Sequence, residues 1–188
     1  MARRRLMSDT AWAEAMALAT EERDPMRHYV LSPEDLSALS AKRSPANRLG
    51  QAPLLCAMRH PGRARGPDEV PPAATLGFVA GQVDVDPAVF AAYAGRAQTR
   101  REQRAMLMAE QGFRSFGRAE AKVLLAWLTP IAQTERRPQV LVARLIEELR
   151  RRRILLPPLL VVERVVHRAR TAADRAQIGS LIAHWESG

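Results

Sequence analysis

Four dipeptides constrain the fold of this chain more than any other feature: Asp24-Pro25, Ser32-Pro33, Ser44-Pro45 and Asp86-Pro87. Each puts a side-chain acceptor at a helix N-cap and a proline at the first helical position, where its missing N–H costs nothing. Thr99 with Glu102 has capping-box spacing, and Thr171 with Asp174 is a looser version. No stretch alternates with period two for long enough to make a strand. The fold class is therefore all-α.

Following these marks predicts helices near residues 8–19, 25–30, 33–42, 45–59, 73–83 and 87–94. The pattern restarts at Thr99, with helices near 100–111, 118–128, 138–152, 158–169 and 172–185. Between the two runs, Gly95 to Gln98 is small, polar and flanked by arginines. A chain of 188 residues has room for two small domains. The expected organisation is two tandem helical domains, 1–95 and 99–188, with a linker at 95–98 and helix-turn-helix-like units. With 47% hydrophobic but only 5% aromatic residues, their cores must be filled mainly by Leu, Val, Ile, Ala and Met.

No run of about 18 apolar residues occurs, so no membrane span is expected. The basic start, Met1 to Met7, leads into Asp9 and Glu14 and not an apolar segment, which argues against a secretory signal. Cys56 is the only cysteine, so no intrachain disulfide can form, and a cytoplasmic location fits. Basic residues exceed acids by 29 to 20, and only Lys42 and Lys122 are not arginine. Arginine forks match phosphate and guanine geometry. A GC-rich genome would also favour such a composition.

Three constellations suit DNA. In the first, the segment Ser32–Arg43 is followed by the turn Ser44-Pro45-Ala46 and a helix opening with Asn47, Arg48 and Gln51. Helix-turn-helix logic sends such side chains to base edges. The same spacing also suits an ordinary helical hairpin with a polar solvent face. The second is Ile146–Ile154, the turn Leu155-Leu156-Pro157 and a helix whose outer side carries Glu163, Arg164, His167, Arg168 and Arg170. Before it, Arg150-Arg151-Arg152-Arg153 can grip phosphates, or oppose the dipole at a helix C-terminus. The third is Arg3-Arg4-Arg5, either a minor-groove arm or simply a charged terminus. Cys56 and His60 lie i,i+4, but two ligands without further Cys or His rarely hold a metal. The four histidines are scattered, and no phosphate-cradling glycine loop occurs. Neither metal nor cofactor is expected, and no enzymatic centre.

Asn47-Arg48-Leu49-Gly50 followed by Arg59-His60-Pro61-Gly62-Arg63 resembles a signature in the N-terminal region of Tn-three family replicative transposases. Supporting segments follow in the family's order: Arg27-His28-Tyr29, Asp86-Pro87, Tyr93 to Glu102, Gly112 to Phe116, and Glu148 to Ile154 ahead of Glu163-Arg164. The resemblance covers nearly the whole chain. It implies tandem helical domains, similar in arrangement to those of centromere protein B, that bind transposon terminal inverted repeats. It also implies that the metal-dependent acidic catalytic site lies far downstream, so this chain is not expected to cut or join DNA.

Gln51, Leu54 and Pro53 depart from the family pattern. Pro53 falls in a helix interior at a cost of about 3 kcal/mol or a kink. The first recognition helix is therefore expected to bend or to begin later. Sequence-specific binding of duplex DNA would use one helix of each domain in successive major grooves. The linker arginines Arg96, Arg100 and Arg101 would track the backbone between them. An alternative partner is a second copy, or a longer transposase, met through Ile178, Leu181, Ile182 and Trp185 of the last helix.

Overall fold

In the computed structural model, which describes residues 6–16, 27–64, 69–94 and 97–186, helices begin where the caps promised them. Ser32 opens α2 (Pro33–Ser40): its Oγ accepts from the Asp35 N–H at 3.3 Å, and Asp35 Oδ2 accepts from the Ser32 N–H at 2.9 Å. Ser44 opens α3 (Pro45–Arg59) in the same way, accepting from the Asn47 N–H. Asp86 caps a short 3-10 turn, Pro87–Val89, that leads into α5 (Phe90–Ala94). The remaining helices are α1 (Asp9–Met16), α4 (Ala73–Gln82), α6 (Ala97–Glu110), α7 (Arg118–Thr134), α8 (Pro138–Arg151) and α9 (Leu159–Glu186). No β-strand occurs among the described residues, and no helix is long and apolar enough to cross a membrane.

Four local expectations need correcting. Asp24-Pro25 lies outside the described residues, and 27–30 form no α-helix. Helix α3 runs through Pro53 without interruption, so it neither stops nor starts there. Thr99 lies inside α6 and caps nothing; Glu102 instead accepts from the Gln98 amide at 2.7 Å. Thr171 does not start a helix either. Its hydroxyl donates back to the His167 carbonyl at 3.0 Å, which satisfies it within one continuous α9 of 28 residues.

The chain packs as two compact units: Ala15–Arg114, and Met1–Glu14 together with Ser115–Gly188. The linker expected at 95–98 falls inside the first unit, where α6 packs on α3 and buries Gln103 and Leu107. Helix α3 is the hub of that unit, with every residue from Leu49 to Met58 buried. Helices α2, α4, α5 and α6 all pack on it. Gly112, with φ 67°, ends α6: the Phe113 N–H returns to the Met108 carbonyl at 2.8 Å. This is a Schellman closure, in which glycine pays no steric cost for the left-handed turn.

In the second unit, Leu124 and Leu128 of α7, Leu141, Leu145 and Leu149 of α8, and Val162, Val166, Ala169 and Ala173 of α9 form one core. Leu6, Met7 and Trp12 pack against it. Helix α8 ends in another Schellman closure, the Ile154 N–H reaching the Leu149 carbonyl at 2.9 Å, with Arg153 in the left-handed position at φ 53°.

Candidate nucleic-acid interface

The apolar stripe of α9 (Leu159, Val162, Val166, Ala169 and Ala173) faces the core. At 100° per residue, Arg164, His167, Arg168 and Arg175 then share the opposite side of the helix. All four are exposed. Neither Arg164 nor Arg168 takes part in any of the ion pairs described below.

The arginine run before α9 is arranged differently. Glu148, only 6% exposed, accepts from Arg151 through Nε and Nη2 at 2.7 Å each, and from Arg152 Nε at 2.6 Å. These charge-assisted bonds, Arg151's foremost, pull the Glu148 carboxyl from its ordinary 4.5 to about 2. Arg151 remains exposed and Arg152 half-buried, but both are already partnered. Arg150 is half-buried as well.

A carboxyl whose pKa falls on folding adds stability above its unfolded pKa and loses it as pH drops toward the folded value. This contribution is therefore complete at neutral pH and disappears between pH 4.5 and about 2. Glu148→Gln is expected to lower the urea midpoint at pH 7 and to flatten its decline over that acid range. Parallel acid limbs in the two proteins would contradict the assignment.

In the first unit, the turn between α2 and α3 brings Arg43, Asn47 and Arg48 together. Arg43 is exposed and the other two are half-buried. The Arg48 Nε is buried with no hydrogen-bond partner. Gln51 is only 3% exposed, which takes it off the surface and leaves just the first turn of α3 outward. Arg101 is exposed on α6, where Arg100 belongs to the helix backbone. Arg3, Arg4, Arg5 and Arg96 lie outside the described residues.

Much of the signature builds the fold. Arg59 donates to both Asp35 oxygens at 2.6 and 2.7 Å, and this contact holds Asp35 below the usual carboxylate range. Arg63 bridges Glu69 and the Met16 carbonyl. Gly50 lies where the Tyr93 ring passes. Cys56 is buried, and burial pushes its thiol up to about 12, far from metal-binding thiolate chemistry. His60 stacks instead on His28, with ring centroids 3.6 Å apart. Sequence reasoning had not anticipated Asp35, Glu69 or Glu148 as arginine partners. Only for Glu148, at i,i+3 and i,i+4 from its partners, was there a local signal.

An all-helical chain with a signature built into its core is matched, over residues 6–169, by a family described as Domain of unknown function (DUF4158), and the chain belongs to that family. Its relatives are transposases. It is 35% identical over 182 residues to the transposase for transposon Tn501 of Pseudomonas aeruginosa, covering 97% of this chain and 18% of that protein. The transposase for transposon Tn21 of Escherichia coli is 38% identical over 175 residues, covering 93% of this chain and 18% of its own length. The transposase for transposon Tn3926 of Escherichia coli is 36% identical over 175 residues, with the same shares. The chain thus spans less than a fifth of these relatives and corresponds to the N-terminal region of Tn-three family transposases.

Proposed function

We propose that this chain binds duplex DNA sequence-specifically, at transposon terminal inverted repeats, as the recognition end of a transposase. The observation that carries the reading is the outer side of α9, where Arg164, His167, Arg168 and Arg175 stand exposed opposite a buried apolar stripe. A helix presented this way offers guanidinium forks to guanine edges or phosphates in a major groove. The family relatives act on transposons, whose ends are duplex DNA. In the first unit, Arg43, Asn47, Arg48 and Arg101 provide a second set of donors, with Asn47 suited to adenine.

Selection of bound duplexes from a random pool tests this directly. One enriched motif, shared with the end of a transposon, is the expected outcome. Retention of the pool without enrichment would remove sequence specificity from the account.

A second reading has its own observation. Ile178 and Trp185 at the far end of α9 are 58% and 87% exposed. Such a stripe suits a second copy or a longer transposase. Solution mass measured with and without DNA decides it: a constant monomer mass, free and on one duplex, would exclude self-pairing.

A further inference from the structure

We infer that Glu163 is a positioning residue. It fixes the point from which the basic arm Arg3-Arg4-Arg5 leaves the fold, beside the arginine face of α9. The inference rests on the reading of that face given above. The Leu6 N–H donates to Glu163 Oε1 at 2.7 Å, and the Met7 N–H donates to the same oxygen at 3.3 Å. Two backbone donors at the start of the chain, which would otherwise be hydrated, are thus tied to the second turn of α9. Leu6, Met7 and Trp12 add apolar contact with the core of the same unit, so the attachment has both a polar and a packed component.

Covalent geometry does the rest. Arg5 is one peptide from Leu6, and consecutive Cα atoms are about 3.8 Å apart. Glu163 precedes Arg164 directly and comes one helical turn before His167 and Arg168. The arm is therefore rooted at the edge of the surface proposed to meet DNA. Tethering raises the local concentration of its three guanidiniums at the duplex without any new contact. A carboxylate beside a surface that takes a polyanion weakens binding through its own charge. Its two N–H bonds give it a reason to be there.

Two measurements test the inference. The first needs no DNA: amide exchange at Leu6 and Met7 should accelerate at least tenfold in Glu163→Ala while the buried turns of α9 stay protected. Glu163→Gln keeps an oxygen acceptor and should exchange like the parent. Equal exchange in parent and Glu163→Ala would overturn the anchor, whatever DNA does.

The second is a double-mutant cycle on duplex affinity, using Arg3, Arg4 and Arg5 all replaced by Ala, Glu163→Ala, and the combination. Neutralising the arm should weaken binding roughly tenfold and make the salt slope shallower by nearly 3 units. Glu163→Ala should weaken binding about fivefold with the arm present and not at all without it. If Glu163→Ala tightens binding equally in both backgrounds, the carboxylate acts only through its charge and the inference fails. If the parent itself ignores duplex DNA, the reading of the α9 face falls, while the exchange result still judges the anchor.

Discussion

Gly50→Ala is expected to destabilise the protein by about 2 kcal/mol, the net of a clash worth about 3 kcal/mol and a helix-propensity gain near 1 kcal/mol. A Cβ built on Gly50 lies 2.2 to 2.4 Å from three atoms of the Tyr93 ring, distances real Cβ atoms do not tolerate. The ring has little room to retreat. Tyr93 is buried on α5, with Phe90 beside it at a centroid distance of 5.8 Å, so relief requires moving α5 away from α3. Gly77, inside α4, is the control: nothing lies within 4 Å of its added Cβ. Gly77→Ala should stabilise by up to about 1 kcal/mol through propensity alone. Urea midpoints moving in opposite directions would confirm both assignments. A neutral Gly50→Ala would show that the α3–α5 approach is wider than described.

Replacing Arg164 and Arg168 together by Ala should weaken duplex binding about 100-fold, each side chain being worth about 1–2 kcal/mol at a base edge or phosphate. Both are exposed and absent from the ion pairs, so their removal should leave the urea midpoint nearly unchanged. Arg151 provides the contrast. Its guanidinium is already seated on Glu148, and Arg151→Ala should cost about threefold, equally for every sequence. A single Arg164→Ala should relax the selected motif at one or two positions. If Arg151→Ala were as damaging as the double replacement, the phosphate grip would lie in the arginine run, and α9 would lose its assigned role.

The all-helical class was legible because Ser32, Ser44 and Asp86 are caps whose chemistry is local, complete within three residues. The same local reasoning went astray at Thr171, where a hydroxyl able to cap was satisfied from inside a longer helix. It also erred at Pro53, because helix propensity gives way to a site buried on all sides. The candidate surface was half legible. Periodicity put Leu159, Val162, Val166 and Ala169 inward, and so Arg164 and Arg168 outward. Periodicity could not show that Gln51 is turned into the hub of the first unit, because α3 is enclosed by four other helices. Pairings across long sequence separations were equally hidden. Asp35 read as an acid suited to the helix dipole, and the bidentate grip of Arg59, 24 residues on, exists only once α2 and α3 pack. The NRLG and HPGR segments identify the family correctly, yet Gly50, Arg59 and Arg63 act there mainly as packing and ion-pair residues.

The central claim is electrostatic: unpaired arginines of this chain take the place of counterions on a double helix. Affinity for one selected duplex, measured from about 50 to 200 mM salt, tests it without any substitution. With about six phosphates neutralised, log K should fall linearly against log salt with a slope of roughly −5. A flat line, or one no steeper than −1, would mean that the exposed guanidiniums do not meet phosphate, and DNA recognition would have to be abandoned.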